Sequence, residues 1–175
     1  MEKIRLGVIG VGNQGGNYLK SAAKGNLPEI EITCIADTDP KKFERAESLL
    51  PGVKCFATEK ELIESGLCDA VAVCTPHYFH PPYVIEALAA GLHVMSEKPA
   101  GVYTKQVREM NEAAAASGLT LLHPDERDVL HATTFGTGEL IAHACRQGIH
   151  HLLNLSKIDG FGVVRIAQGQ AHRAK

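Results

Sequence analysis

The stretch Lys3–Gly16, KIRLGVIGVGNQGG, decides the reading of this chain. Lys3–Gly10 is a short apolar run of strand character. It ends in Gly10-Val11-Gly12-Asn13-Gln14-Gly15, a G-x-G-x-x-G pattern, and Val11–Lys24 then reads as a glycine-led turn entering a helix. A second apolar run, Glu31–Ala36, ends at Asp37, twenty-two residues beyond Gly15. Strand, glycine turn, helix, strand and acid in that order form the context a dinucleotide fingerprint requires. Each position has a task. Gly10 permits the tight turn, Gly12 lets the backbone approach a pyrophosphate, and Gly15 lets the helix pack close to the strand. Val11, Asn13 and Gln14 fill the turn that meets the phosphates, and the helix N-terminus offers them N–H groups and partial positive charge. Asp37 is placed to accept hydrogen bonds from the ribose hydroxyls. Its charge repels a 2′-phosphate, which favours NAD, while Lys41 and Lys42 nearby leave NADP possible.

Working outward, short apolar runs alternate with helical stretches. Pro40–Leu50 is expected to be a helix with Asp39 as N-cap and Pro40 at its first position. Val53–Phe56 reads as a strand and Lys60–Ser65 as a short helix. Ala70–Cys74 reads as a strand, Pro82–Ala90 as a helix stopped by Gly91, and Leu92–Met95 as a strand. Thr104–Ala116 reads as a helix ended by Ser117-Gly118, and Leu119–Leu122 as a final strand. Continuous apolar strands between helices imply a parallel sheet covered on both faces. The expected class is therefore α/β, a Rossmann-like doubly wound parallel sheet. Beyond it the pattern weakens into an irregular α/β extension with no complete second domain. The division drawn from the sequence is a dinucleotide-binding domain at 1–122 and a short, partly ordered extension at 123–175. In that extension Gly138–Arg146 is a helix candidate and Ile149–Leu155 a strand candidate.

The chain has 175 residues, 45% hydrophobic and 22% charged, with a net charge of -2. A chain of this size can bury a core without disulfides or metal. The near balance of charge argues against nucleic acid or an anionic membrane as partner. The apolar runs are far shorter than the ~18 residues a membrane span needs. The N-terminus lacks the h-region and cleavage site of a signal peptide. The five cysteines, Cys34, Cys55, Cys68, Cys74 and Cys145, are odd in number and contain no Cys-x-x-Cys pair. They read as free thiols of a cytoplasmic protein.

Ligands of doubly wound sheets bind beyond the carboxyl ends of the strands. Two polar clusters fall there: Cys74-Thr75-Pro76-His77-Tyr78-Phe79-His80, and Ser96-Glu97-Lys98-Pro99. A lysine at a strand end can act as a general acid or orient a substrate oxygen. His77 and His80 are spaced for one helical face. No acidic third ligand accompanies them, so no metal site is expected. The seven remaining histidines form no ligand pattern and read as structural or surface residues.

Together KIRLGVIGVGNQG, IADTDP, CTPHYFH and AALAAGLHVMSEKPAG resemble the Gfo/Idh/MocA oxidoreductases over roughly residues 1–118. The Glu97-Lys98-Pro99 block is the most specific part. The resemblance implies NAD(P)-linked hydride transfer on a sugar, inositol or related polyol. It also implies a second, open-sheet domain, for which these 175 residues show no counterpart. By position it assigns Gly10, Gly12 and Gly15 to the pyrophosphate and Asp37 to the ribose. Thr75, Pro76, His77 and His80 fall in the motif lining the nicotinamide side. Glu97 becomes a ribose or nicotinamide neighbour, and Lys98 the catalytic lysine. Residues 117–153, with Thr133-Thr134-Phe135-Gly136-Thr137-Gly138-Glu139-Leu140, instead resemble an internal segment of bacterial glycerate kinases. The glycine-rich loop expected after that segment is replaced by Asn154-Leu155-Ser156-Lys157. The expectation is a dehydrogenase-like domain joined near Ala113–Gly118 to a kinase-like fragment, weakly active alone and with a possible tendency to form homo-oligomers. The alternatives are a non-catalytic nucleotide-binding or interaction module, and a glycerate kinase-related fragment.

Overall fold

In the computed structural model, which describes residues 3–123, the alternation of runs resolves into six strands and their connecting helices. The order is β1 (Ile4–Ile9), α1 (Asn13–Ala23), β2 (Ile30–Ala36), α2 (Lys41–Leu49), β3 (Lys54–Phe56) and α3 (Glu59–Glu64). Then follow β4 (Ala70–Val73), a 3-10 turn (His77–Phe79), α4 (His80–Ala89), β5 (His93–Ser96), α5 (Thr104–Ser117) and β6 (Leu121–Leu122). The strands form one sheet in the order β3-β2-β1-β4-β5-β6. Every pairing is parallel. The Rossmann-like, doubly wound class expected from the sequence is the class observed. The chain crosses from one half of the sheet to the other between β1 and β4, the switch point where such folds bind ligands.

Both faces are covered because both faces of the strands are apolar. On one, Leu6, Val8, Ile30, Ile32, Ala70 and Ala72 pack with Tyr18 and Leu19 of α1 and Ala46 of α2. On the other, Ile9, Cys34, Val71, Val73 and Val94 pack with Leu62 of α3, Val84 and Leu88 of α4, and Met110 of α5. Burying one such aliphatic side chain is worth about 1.5–3 kcal/mol. The interdigitated layers fix where the strand ends stand.

Local chemistry explains where the elements begin and end. Thr58 and Glu61 form a capping box at α3, each side chain bonding the other residue's backbone N–H. Gly118, in the left-handed region at φ 67°, closes α5 as its sequence predicts. Several boundaries shift by a residue or two from expectation, and three of the shifts have a local cause. Helix α4 starts at His80 rather than Pro82, because prolines are tolerated in a first turn whose N–H groups have no helical partner. Helix α2 starts at Lys41 with Pro40 at the cap position, and Asp39 serves it by accepting the Lys41 N–H at 3.1 Å. Strand β6 is only Leu121–Leu122, since Thr120 spends its N–H on the His93 ring. The helix and strand expected at Gly138–Arg146 and Ile149–Leu155, and nearly all of the 123–175 extension, lie outside the described residues. Among the described residues no helix is long and apolar enough to cross a membrane.

Candidate functional site

The glycine turn is held by the fold at two of its glycines and left open at the third. Gly10 has φ +89°, and a Cβ there would stand 2.9 Å from the Cys74 carbonyl oxygen at the end of β4. At Gly15 a Cβ would stand 2.0 Å from the Gly10 carbonyl oxygen, which no real contact allows. At Gly12 a Cβ would meet nothing within 4 Å. The missing side chains at Gly10 and Gly15 therefore serve the chain itself. The missing one at Gly12 leaves open backbone that no part of the described chain covers within 4 Å. Helix α1 begins directly afterwards and carries no acidic residue in its first turn. The positive end of its dipole is not compensated from within that turn.

Asp37 leaves the end of β2 and turns its carboxylate back on this loop. One oxygen accepts the Val11 N–H at 2.7 Å, and the other accepts the Asp39 N–H at 2.9 Å. A carboxylate has about four lone-pair sites. Two remain for ribose hydroxyls after these bonds. Asp37 thus braces the turn as well as facing it. Its half-buried position and open lone pairs fit a dinucleotide.

The second pole lies after β4 and β5. Thr75 is half-buried, and its hydroxyl is a buried polar group without a partner in the described residues. Such a group calls for a ligand or water. Pro76, His77 and Lys98 are exposed, whereas Glu97 is buried. Glu97 stands beneath the surface because Tyr18 of α1 donates its phenol O–H to Glu97 Oε1. Gln14 in turn donates its side-chain N–H to the Tyr18 oxygen at 3.4 Å. Burial, then the neighbouring Cys74 and the Glu97 carboxylate, push the Tyr18 phenol well above its ordinary value, so it stays a donor. Burial likewise pushes the Cys74 thiol up, with Glu97 as the second cause.

His80 departs from the expectation for a cofactor-lining residue. Its ring is fully buried, and its two nitrogens lie 2.9 Å from the Pro99 carbonyl and 2.7 Å from the Thr75 carbonyl, two acceptors between which a singly protonated ring shares one N–H. Both ring positions are occupied by backbone, so the ring can act on a cofactor only by holding these two loops together. It is equally unsuited to a metal pair with His77, whose ring meets it edge-on at 5.8 Å. Among the described residues no group of three or more potential ligands could hold a metal ion. Tyr18 was not among the residues that motif spacing singles out. The only sequence sign is its place one turn after Gly15 on the buried face of α1.

Two other histidines have structural partners, as their lack of pattern implied. His93 Nδ1 accepts the Thr120 N–H at 3.1 Å, and burial holds its pKa below the usual value. His123 stands 3.2 Å from the Ser96 carbonyl and is also held low by burial. Cys34, Cys55, Cys68 and Cys74 are free thiols.

Comparison with known proteins agrees with this geometry. The profile of an oxidoreductase family with an NAD-binding Rossmann fold, Gfo/Idh/MocA, matches residues 4–124. The chain belongs to the Gfo/Idh/MocA family. The rhizopine catabolism protein MocA of Rhizobium meliloti is 33% identical over 65% of this chain and 35% of its own length. An inositol 2-dehydrogenase of Arthrobacter sp. is 29% identical over 56% of this chain and 29% of its own. Among solved structures, the WlbA dehydrogenase of Bordetella pertussis, in complex with NADH and UDP-GlcNAcA, is similar with a TM-score of 0.66. It is 29% identical over 78% of this chain and 42% of that one. The chain spans about a third of the length of the curated relatives it matches. The family's Rossmann fold is NAD-binding, and the open turn, the Asp37 carboxylate and the unpartnered Thr75 hydroxyl fit a dinucleotide of that class.

Proposed function

We propose that this chain is the dinucleotide-binding part of an oxidoreductase that moves a hydride between NAD and a hydroxyl-bearing carbon of a sugar, inositol or related polyol. The observation that carries the reading is one juxtaposition. The open backbone at Gly12, the Asp37 carboxylate and the Lys98 loop all stand at the carboxyl edge of one sheet. Gly10, Val11, Gly12, Asn13, Gln14 and Gly15 receive the pyrophosphate, and Asp37 holds the ribose. Thr75, with Pro76 and His77 beside it, and Glu97 line the nicotinamide side. When bound, NAD supplies the hydride acceptor. Lys98 orients the substrate oxygen and exchanges the hydroxyl proton, so that an alcohol loses a hydride and a proton to become a carbonyl. The inositol dehydrogenases among its relatives support a polyol as the substrate class.

Lys98 is exposed in the described structure. Positioning and water exclusion supply much of an enzyme's rate, so this chain on its own is expected to turn over slowly. An alternative reading is a nucleotide-binding interaction module. Tyr78, Phe79, Val102 and Tyr103 favour it, being exposed apolar side chains on the two loops that carry the site. Such a patch promotes homo-oligomers. The glycerate kinase-like segment lies outside the described residues, apart from its first few.

Titration with NADH, read by nicotinamide fluorescence, tests the leading proposal; the chain has no tryptophan to interfere. Saturable binding is expected, with the loss of at least about tenfold in affinity in Gly12→Val. A Cβ at that position meets nothing within 4 Å, so a thermal midpoint close to the parent's is the check that the variant folds. A folded parent that binds no NADH sinks the reading. Binding without turnover on any polyol, together with self-association in sedimentation, selects the interaction module.

A further inference from the structure

The two poles of the site are joined beneath the surface by side chains, and this link has no counterpart in the fingerprint. Gln14 lies in the turn that meets the pyrophosphate, and its amide reaches the Tyr18 oxygen at 3.4 Å. Tyr18 is 4% exposed and donates to Glu97. Glu97 is 79 residues away in sequence and immediately precedes Lys98. The Glu97 backbone N–H is fixed separately, by the Val73 carbonyl at 2.9 Å. A buried phenol–carboxylate pair is a costly way to fill an apolar layer. An apolar pair of similar volume is often as stable or more so, and polar pairs of this kind serve best where one arrangement must be specified. Here the specified arrangement is the placement of Glu97, and with it the start of the Lys98 segment. Leu19, the next residue of α1, is fully buried, so the helix itself is already anchored without the phenol.

Resting on the cofactor reading above, we propose that Tyr18 is a positioning residue that couples occupancy of the dinucleotide turn to the placement of Lys98. The route is Gln14 to Tyr18 to Glu97. A ligand that orders the glycine turn orders Gln14, which fixes the direction of the Tyr18 hydroxyl, and the hydroxyl holds the Glu97 carboxylate. Coupling of this kind is reciprocal. A loosened Glu97 weakens NADH as surely as missing NADH loosens Glu97.

The test uses the full chain and three variants: Tyr18→Phe, Glu97→Met and the double substitution. Hydrogen exchange is followed in the segments spanning the glycine turn and Glu97 to Gly101, with and without saturating NADH, beside NADH titrations. In the parent, NADH should slow exchange in both segments. In Tyr18→Phe it should still protect the glycine turn, while protection around Lys98 falls by about fivefold, the lower end of coupling between linked sites. Affinity for NADH should fall by a similar factor in Tyr18→Phe, at least as far in Glu97→Met, which also loses its place on the nicotinamide side, and no further in the double variant than in Glu97→Met, because Tyr18 acts only through Glu97. Additive losses overturn the proposal, as does unchanged exchange around Lys98 in a folded Tyr18→Phe. A uniform rise in exchange across the core, with unchanged NADH affinity, shows a merely structural tyrosine and also overturns it. Glu97→Met keeps roughly the side chain's size, removes the acceptor, and reads the same link from its other end should Tyr18→Phe fold poorly. A folded parent that binds no NADH overturns the cofactor reading and this coupling together. A parent that binds NADH beside an indistinguishable Tyr18→Phe overturns the coupling alone.

Discussion

The glycine turn after β1 and the Lys98 loop after β5 stand at the same edge of the sheet but are made by different means. The turn is built from backbone: a left-handed Gly10, a Gly15 pressed against the Gly10 carbonyl, and N–H groups presented by α1. The Lys98 loop is built from side chains that arrive from elsewhere. Tyr18 comes from α1 to hold Glu97, and His80 comes from α4 to hold the Pro99 carbonyl. A backbone-built site is specified by the absence of atoms at a few neighbouring positions. A side-chain-built one is specified by partners whose distance along the chain carries no regular spacing.

The comparison breaks most sharply at Gly15. In Gly15→Ala the new Cβ meets the Gly10 carbonyl oxygen at 2.0 Å, so β1 and α1 must separate. The expected loss is about 3 kcal/mol, the upper part of the overpacking range, seen as a lower thermal midpoint together with lost NADH binding. A Gly15→Ala protein as stable as its parent would show that the turn is not fixed by backbone contact.

A smaller effect is expected at His80. In His80→Leu the Thr75 and Pro99 carbonyls lose their buried partner, at a cost of about 1–3 kcal/mol. Denaturant unfolding reads that loss. Hydrogen exchange should then rise around Thr75 and Pro99 while the glycine turn keeps its protection. Equal disturbance of both regions would erase the distinction between them.

The smallest effect is pH-dependent and lies along β5 and the end of β6. Burial lowers the pKa of His93 and of His123 in the fold. Groups of this kind bind protons more readily in the unfolded chain. Their contribution is fully present above the unfolded value, about 6.5, and is lost as pH falls below it toward the folded value. His93→Asn keeps an acceptor near the Thr120 N–H and removes one titration. The fall in thermal midpoint between about pH 7.5 and 5.5 should therefore be shallower in the variant. An equally steep fall would assign the pH dependence to other groups.

What could be read from residues alone follows the same division. The order of strands and helices was legible because most strands are short, predominantly apolar runs set off by turn residues or charges. The site's first pole was legible because G-x-G-x-x-G and Asp37 have a spacing dictated by one strand–turn–helix–strand unit. The place of Lys98 just beyond β5 was legible because Glu97-Lys98-Pro99 follows an apolar run. The function of His80 was not, because a ring that bonds two carbonyls leaves the same letter in the sequence as one that touches a cofactor. Tyr18 was not, because the apolar face of α1 accounts for it without Glu97. Boundaries slipped where a competing partner intervened, as at Thr120, whose N–H goes to the His93 ring and leaves β6 two residues long.

That short strand has a further consequence. Among the described residues the sheet ends in β3 on one side and β6 on the other, three and two residues long. An edge strand displays unpaired N–H and C=O groups on which another chain can add, and long, flat, apolar edges nucleate aggregates. Here the longest strands, β1 and β2, are paired on both sides. The strand order that brings the dinucleotide turn to the middle of the sheet also keeps its most adhesive segments away from the rim.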